Sequence, residues 1–277
     1  MMQLVNIGCG QTFHPDWVNL DLMPSAAEVR SFDIRRGLPF ADRTCDVCYS
    51  SHVLEHLQPV QASFLITEAF RVLKPGGILR IVVPDLEQIA RLYLATLEQA
   101  TSGNSQAIGQ YDWMLLELLD QMTRTHAGGE MGKYLDRLND QNADLDRAFV
   151  RSRMGAEIDN YYQAKKLTRW QKIKSKRPTW YIQKIRTKVA EFFVLLIAGK
   201  QAQKSFQEGI FRNSGELHRW MYDRVSLQQL LSQAGFTEIQ VCQASESRIP
   251  HFNDFELDTL QGQVRKPDSL FMEAVKP

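Results

Sequence analysis

Short apolar runs and turn-forming segments alternate along the first 85 residues of the chain. The runs that predict strands cover residues 4–7, 17–21, 45–50 and 78–83. The last run is nearly continuous, as in a strand buried on both faces. Residues 62–73 have apolar positions at helical spacing, and Lys74-Pro75-Gly76-Gly77 then predicts the end of that helix. Strands that alternate with helices predict a parallel sheet with right-handed crossovers.

The pattern changes after Pro84-Asp85 and returns near residue 226. From residue 86 to about 215 the periodicity is helical, most clearly over 111–122, and strand signals are almost absent. A helix at 226–234 and strands at 237–242 and 270–275 are predicted after it. We therefore predict an α/β fold: a Rossmann-like, doubly wound sheet with a large helical insertion.

Three parts follow from this reading of the chain. Residues 1–85 are predicted to be the N-terminal part of the core, and residues 216–277 its C-terminal part, with a helix and a closing strand pair. Residues 86–215 are predicted to be a helical insertion that forms an acceptor-binding lid or a membrane-surface region.

Composition adds limits on partners and compartment. The 33 basic and 32 acidic side chains nearly cancel, so any preference for nucleic acid or membrane must be local. Cys45 and Cys48 lie in a predicted buried strand, which favours small apolar packing over a redox pair or half a zinc site. With no signal peptide visible and the longest apolar run at 192–198, too short to span a bilayer, we expect a cytoplasmic protein.

A nucleoside site is indicated where the first strands end. Gly8-x-Gly10 allows close backbone approach to a ligand, but Phe13 and Pro15 depart from the G-x-G-x-x-G pattern and count against NAD. Asp21 can accept the hydroxyls of a ribose, and Asp33 can accept a proton from an adenine amine. Each aspartate alone also suits a turn or a helix cap. Together with the glycines, they favour a nucleoside that lacks phosphates and carries a cation.

The order and spacing of several motifs over residues 3–85 resemble a known family. The motifs are Val5-Asn6-Ile7-Gly8-Cys9-Gly10, Asp33 with Leu38-Pro39-Phe40-Ala41-Asp42, Cys45-Asp46-Val47-Cys48, Ser51-His52-Val53-Leu54-Glu55-His56-Leu57 and Glu68-Ala69-Phe70-Arg71-Val72-Leu73-Lys74-Pro75-Gly76-Gly77. They are similar to those of the class I, type 11 group of S-adenosylmethionine-dependent methyltransferases. Residues 226–275 fit the closing strand pair of that family, whereas residues 86–215 have no counterpart in its minimal core.

The resemblance implies a methyltransferase with S-adenosyl-L-methionine as its cofactor, and it implies a set of contacts. Gly8 and Gly10 would line the methionine and ribose, Asp21 would hold the ribose hydroxyls, and Asp33 with Ile34 would contact adenine. The loop after the strand at 45–50 would pass the reactive sulfonium. The full expected cofactor set is Asn6, Gly8, Cys9, Gly10, Asp21, Leu22, Asp33, Ile34, Ser50, Ser51 and His52.

One feature departs from the family pattern. Only ten residues separate Gly10 from Asp21, with Pro15 among them, so the usual first helix is absent or reduced to a turn. The methionine carboxylate then lacks that helix N-terminus as an anion site. We expect the region 86–215 or a backbone nest to bind it instead.

Histidines are the candidate general bases. An oxygen acceptor must lose its proton during methyl transfer, and histidine suits that role near neutral pH. We predict His52 next to the methyl group and His218 on the acceptor side, each with a structural contact as the alternative. For His56, a hydrogen bond that holds the loop is equally consistent. Glu55-His56 lacks the His-Glu-x-x-His order, so we predict no metal site.

A basic segment points to the partners. Residues 165–188 contain ten Lys or Arg residues and no acid, with Trp170, Trp180 and Tyr181 interleaved, and the apolar run 192–198 follows. This composition suits an anionic membrane surface, a phosphate-bearing acceptor such as a lipid-linked sugar or RNA, or a solvated helix face. We predict O-methylation of a glycan, lipid-linked or small-molecule acceptor. For the location of the protein, binding at the membrane periphery is kept as an alternative to a purely cytoplasmic one. The alternatives are an RNA methyltransferase and a non-catalytic scaffold that keeps the fold.

Overall fold

The fold is built on a sheet whose strands alternate with helices. The computed structural model describes residues 2–24, 26–140, 144–166 and 178–277. The strands are β1 (Leu4–Ile7), β2 (Val18–Asp21), β3 (Val29–Ser31), β4 (Cys45–Ser51), β5 (Leu73–Pro84), β6 (Thr237–Cys242), β7 (Thr259–Leu260), β8 (Gln263–Val264) and β9 (Ser269–Val275). The helices are α1 (Pro59–Val72), α2 (Leu86–Thr101), α3 (Ala107–Thr123), α4 (Gly129–Asp140), α5 (Asp144–Met154), α6 (Glu157–Lys166), α7 (Pro178–Arg212) and α8 (Arg224–Gln233).

Seven of these strands form one sheet in the order β3-β2-β1-β4-β5-β9-β6. Strands β1 to β5 pair in parallel, and β9 lies antiparallel between β5 and β6. The predicted doubly wound α/β fold is therefore confirmed. Because parallel strands end at the same edge of a sheet, the segments after β1, β2, β4 and β5 meet there, which is where such sheets bind ligands.

The connection between β1 and β2 is short, as predicted, and it is held by two buried amides. Residues 8–17 are all described, and they form turns without a helix. The Asn6 side-chain amide donates to the Thr12 carbonyl (3.1 Å) and to Asn19 Oδ1 (3.2 Å). The Asn19 amide in turn donates to the carbonyls of His14 and Trp17, both at 2.9 Å. Side-chain hydrogen bonds thus do the ordering that a first crossover helix would otherwise do.

Several boundaries differ from the sequence prediction, and the starts of α1 and β5 differ most within the core. Helix α1 begins at Pro59 rather than residue 62, because Gln58 and Gln61 form a capping box ahead of it. Strand β5 begins at Leu73, immediately after α1, although residues 74–77 were predicted as a turn between helix and strand. Pairing with β4 passes from Cys45–Leu73 to Val47–Ile78, so residues 74–77 bulge out of the ladder. The burial of Leu73 explains why the strand starts before the bulge. Strand β3 and the β7–β8 hairpin were not predicted.

The sheet separates two apolar cores. One face packs against α1 and α8, with Leu65, Ile66 and Leu227 among the buried residues. The other face buries Trp17 and Tyr49 among residues of the C-terminal loops. A third core joins the helices after β5 around Trp113 and Met114. The predicted division into three parts stays a prediction, since packing alone does not fix domain limits.

Candidate functional site

Two neighbouring cavities open at the edge where the parallel strands end. The first, of about 500 Å³, is lined by Asn6, Gly8, Cys9, Gly10, Gln11, Thr12, Tyr49, Ser51, His52, Val82, Met154, Glu157, Tyr161, Leu257, Asp258, Arg265, Lys266 and Phe271. The second, of about 390 Å³, is lined by Gly8, Gly10, Asp21, Leu22, Phe32, Asp33, Ile34, Arg35, His52, Val53, His56, Leu57, Gln58, Gln61, Arg212, Asn213, Gly215 and Arg219. Gly8, Gly10 and His52 line both, so the two cavities adjoin along these three residues.

The turn after β1 is fixed by glycine geometry and by Asp21. Gly8 and Gly10 have φ values of +70° and +55°, a region that favours glycine. A Cβ at Gly8 would lie 2.4 Å from Val53 Cγ2, whereas a Cβ at Gly10 would meet nothing within 4 Å. Asp21 accepts hydrogen bonds from the Gly10 amide at 2.9 Å and the Met23 amide at 2.7 Å. The space above Gly10 is therefore open to a ligand that approaches the backbone.

Asp33 lies at the far end of the second cavity and is already engaged. It caps the short 3₁₀ turn Ile34–Arg36, and Arg35 donates to both of its carboxylate oxygens. The hydrogen bonds and charge of Arg35 lower the pKa of Asp33. Phe32 and Ile34 add apolar walls beside it. This part of the second cavity thus combines apolar walls with an ionised carboxylate.

His52 connects the two cavities. It follows strand β4 with a φ of +54°, an uncommon conformation for a residue with a side chain. Its Nε2 lies 2.9 Å from Ser269 Oγ, and its Nδ1 lies 3.1 Å from Glu55 Oε1. The second contact has ion-pair distance without the alignment of a hydrogen bond. These two partners hold the ring at the junction of the cavities.

Behind His52, a buried carboxylate faces three imidazoles. Glu55 is fully buried, His56 Nε2 lies 4.0 Å from its Oε1, and the His56 and His218 rings meet edge to face at 4.9 Å. Burial would raise the pKa of Glu55, but His52, His56 and His218 together lower it to about 2. Burial lowers the pKa of His218 to about 3. At neutral pH, Glu55 is therefore an ionised carboxylate and His218 a neutral imidazole.

A second polar network supports the wall of the first cavity. The Tyr49 hydroxyl donates to Asp258 Oδ1 at 2.6 Å, and Arg80 Nε donates to Asp258 Oδ2 at 2.7 Å. Arg80 also pairs with Glu273 at 2.8 Å, and all of these side chains are buried. On the opposite side, Lys266 pairs with Glu157 at 2.8 Å. The wall therefore joins the C-terminal loops to helix α6.

Most of the predicted site residues lie at these cavities. Of the expected cofactor set, Asn6, Cys9 and Ser51 line the first cavity, Asp21, Leu22, Asp33 and Ile34 line the second, and Gly8, Gly10 and His52 line both. Burial raises the pKa of the Cys9 thiol to about 12, so it is a neutral wall residue. Their assignment as cofactor ligands stays a prediction.

Two predicted residues lie elsewhere. Ser50 is buried beneath the turn, where its hydroxyl donates to the Ile7 carbonyl at 3.1 Å, and it lines neither cavity. Because successive side chains of a strand point to opposite faces, Ser50 faces away from the first cavity, which its neighbours Tyr49 and Ser51 line. His218 is 5% exposed and lies behind His56, so it does not line either cavity. A direct role for His218 on the acceptor side does not fit this position.

Several lining residues were not predicted. Phe32, Val53 and Leu57 adjoin motif residues, so their position next to a motif was an available signal. Arg219 directly follows His218, so its position next to a candidate residue was the same kind of signal. Tyr161, Glu157, Arg265 and Lys266 come from segments far along the chain, and no local pattern marks them. Tertiary packing alone brings them to the first cavity.

Part of the predicted membrane segment can be located. Residues 167–177 lie outside the described residues, so that part of the basic stretch has no structural account. Lys165 and Lys166 end helix α6, and helix α7 covers the part from Pro178 onwards. Helix α7 is broken at Gly199, whose φ is +80°. Among the described residues, no helix combines the length and apolar character needed to cross a bilayer.

Comparisons with known proteins agree with the region that carries the motifs. Residues 5–81 match a family model described as a methyltransferase domain. A probable S-adenosylmethionine-dependent methyltransferase of Mycolicibacterium smegmatis is 34% identical over 99 residues, which cover 30% of this chain. The match spans only 38% of the length of that relative.

Solved structures are similar in outline. One is a SAM-dependent methyltransferase of Thermotoga maritima, described as a possible histamine N-methyltransferase. Its TM-score is 0.37 at 12% sequence identity, and the match covers 100% of this chain and 83% of that one. Another is a SAM-dependent methyltransferase of Archaeoglobus fulgidus, with a TM-score of 0.39 and 9% identity, covering 99% of this chain and 86% of that one. Likenesses at this level say nothing about a substrate.

Proposed function

We propose that the chain transfers a methyl group from S-adenosylmethionine to an acceptor, since residues 5–81 match a methyltransferase domain and a relative is a probable S-adenosylmethionine-dependent methyltransferase. The observation that carries the proposal is the meeting of Gly8, Gly10, Asp21 and Asp33 at adjoining cavities. The residues fit the cofactor, since a Cβ at Gly10 would point into open space and Asp21 offers a carboxylate beside it. Two cavities of this size suit a drug-sized ligand together with a second molecule.

The two ends of the cofactor would be held by different chemistry. Asp21 has lone pairs left for ribose hydroxyls after accepting two backbone amides. Phe32 and Ile34 would enclose adenine, and Asp33 would share its carboxylate between Arg35 and the adenine amine. The methionine end would extend past Gly10 into the first cavity. Arg265 and Lys266 are the cations there that suit its carboxylate.

The cofactor supplies, when bound, a methyl carbon activated by a sulfonium. His52 would act on the acceptor from the junction of the cavities. Its Nε2 would exchange the contact with Ser269 Oγ for the acceptor hydroxyl and take the proton of that hydroxyl as the oxygen is methylated. Glu55, 3.1 Å from Nδ1, would stabilise the imidazolium that forms. A general base of this kind contributes about 10²–10⁴-fold in rate. We propose that the acceptor atom is an oxygen of a glycan, lipid-linked or small-molecule acceptor.

Calorimetric titration with S-adenosylmethionine tests cofactor binding. We expect binding by the unaltered protein and at least about tenfold weaker binding by Asp21→Asn, which corresponds to about 1.4 kcal/mol. Asp16→Asn is the matched control, because Asp16 is exposed and lines neither cavity. Folding of each variant is checked by thermal unfolding. No binding by the folded, unaltered protein would leave only the scaffold reading.

The exposed face of α7 supports an acceptor at a membrane surface. Ile185, Val189, Phe192 and Leu196 recur at helical spacing and are exposed, Leu196 by 69%. Exposed Lys184, Arg186 and Lys188 lie on the same helix. An amphipathic helix with cations beside its apolar face suits an anionic bilayer, to which each Lys or Arg adds about 1 kcal/mol. We therefore favour a lipid-linked acceptor.

Vesicle co-sedimentation tests this part. We expect binding to vesicles of phosphatidylglycerol and phosphatidylcholine, weaker binding to phosphatidylcholine alone, and loss of binding in Ile185→Glu/Phe192→Glu. Leu145→Glu is the control, since Leu145 is 62% exposed but lies on α5. Equal binding by all variants would exclude this face. Steeply salt-dependent RNA binding in the same preparations would instead favour the RNA alternative.

A further inference from the structure

The cluster of Glu55, His56 and His218 has the donor set of a metal site. One ligand atom from each side chain lies within 4.8 Å of the others. Two imidazoles and a carboxylate are the ligands that divalent first-row transition metals accept, and three protein ligands leave a position open for a further oxygen. We propose that these three residues bind a divalent transition-metal ion, with Zn²⁺ as the best-fitting representative. The proposal departs from the sequence prediction of no metal site, because folding brings His218 to Glu55 and His56.

Unsatisfied buried groups point to a missing partner. Glu55 is 0% exposed, and neither of its carboxylate oxygens makes an aligned hydrogen bond: Oε1 has His52 Nδ1 at 3.1 Å without that alignment, and Oε2 has no hydrogen-bond partner among the described residues. Nδ1 of His218, in a residue that is 5% exposed, also has no hydrogen-bond partner within the described part of the chain. Buried polar groups are nearly always satisfied, and leaving one unpaired costs about 1–3 kcal/mol. A cation bound between them would satisfy both side chains.

The second contacts of these residues are those of metal ligands. His56 Nδ1 lies 3.2 Å from the Leu217 carbonyl, which can only accept, so Nδ1 is the donor and Nε2 is the nitrogen turned towards Glu55. Metal-binding histidines commonly donate their other nitrogen to a carbonyl in this way. The Trp220 amide donates to the Glu55 carbonyl at 3.2 Å, so the two distant segments are tied together. The site is thus prepared by the backbone as well as by side chains.

Distance and charge are compatible with an ion. Tetrahedral zinc with bonds of about 2.0–2.1 Å needs ligand atoms about 3.3 Å apart, so the cluster must contract by about 1.5 Å or less. Small rotations of His56, which is partly exposed at the second cavity, can supply this. Arg124, whose charge also reaches His218, is paired with Asp120 and Glu216 and so offers little repulsion.

The position suggests what the ion does, and this part rests on the proposed function. His56 lines the second cavity beside His52, and Glu55 Oε1 lies 3.1 Å from His52 Nδ1. An ion bound by Glu55, His56 and His218 would fix these side chains behind the cavity wall. It would thereby hold the position of His52, the proposed base.

The test is calorimetric titration of untagged, metal-free protein with ZnCl₂, with Co²⁺ absorption as a second readout. We expect one ion per chain, binding at least tenfold weaker in His56→Gln and Glu55→Gln, and unchanged binding in His251→Gln. The last variant is the control, because His251 is exposed and distant from the cluster. Folding of each variant is verified by circular dichroism. Absence of zinc binding by the folded, unaltered protein, or equal binding by all variants, would overturn the proposal. Zinc binding without S-adenosylmethionine binding would remove the methyltransferase role and leave the metal site standing.

Discussion

Replacing Gly10 by alanine separates ligand binding from folding. The new Cβ would meet no protein atom within 4 Å, so its cost to the fold is limited to the backbone strain of φ +55°. That strain amounts to about 1–2 kcal/mol for a residue with a side chain. The methyl group would, however, project where the two cavities meet. We expect the affinity for S-adenosylmethionine to fall by at least about tenfold, or about 1.4 kcal/mol.

Two further variants make the comparison decisive. Gly76→Ala carries a similar strain at φ +76° with nothing within 4 Å, but Gly76 lies in the bulge at the opposite end of the parallel strands. It should lower the melting temperature as Gly10→Ala does and leave the affinity unchanged. Gly8→Ala adds a 2.4 Å contact with Val53 and should be the least stable of the three. Calorimetry and thermal unfolding give both quantities. If Gly10→Ala and Gly76→Ala bind the cofactor equally, the ligand does not pass over Gly10.

Three other predictions follow from buried or paired groups. Asn19→Leu removes the amide that orders the β1–β2 connection, and it should lower the free energy of unfolding in urea by about 1–3 kcal/mol. We also expect weaker cofactor binding. Unchanged binding would show that the connection keeps its conformation without this amide. Arg80→Met leaves two buried carboxylates without their cation and should cost about 3–5 kcal/mol, with a small loss counting against the network. The hydrogen bond from Arg71 lowers the pKa of Glu68 below its ordinary 4.5, so this pair contributes stability above pH 4.5 that is lost as the pH falls through the lowered value. Glu68→Gln should therefore weaken the fall of the unfolding free energy with pH in this acid range. An unchanged pH dependence would contradict the assignment.

The parallel core could be predicted because its signals are local. Apolar runs at 4–7 and 45–50 became strands β1 and β4, since residues buried on both faces must be apolar throughout. Strand β3 was missed because Val29 is its one buried residue, so three residues give no pattern. The bulge at 74–77 was read as a turn because Pro and Gly interrupt a ladder and a helix alike.

For the candidate site too, the residues with a local signal in the sequence could be predicted, and those whose place depends on tertiary packing could not. Gly8 and Asp21 were found because they lie at the ends of predicted strands, and parallel pairing brings such positions to one edge. Asp33 was found from its place before the turn at Gly37, without its strand β3. The engagement of Asp33 by Arg35 could not be read, since a pair two residues apart does not reveal which way either side chain turns. His218 was assigned to the acceptor side from its place in the chain, while burial against His56 depends on packing between distant segments.

The short first crossover has a consequence for how the parts of the chain work together. A first helix would supply both the order of the turn and an anion site at its N-terminus. Here Asn6 and Asn19 supply the order, but amides of the sheet carry no positive charge for a carboxylate. The cations at the first cavity, Arg265 and Lys266, come from the C-terminal loops, and Lys266 is also paired with Glu157 of α6. Any ligand that recruits Lys266 must compete with that ion pair, so binding at the turn is coupled to the position of α6. If Lys266 binds the methionine carboxylate as proposed, shortening one connection ties cofactor binding to helix α6.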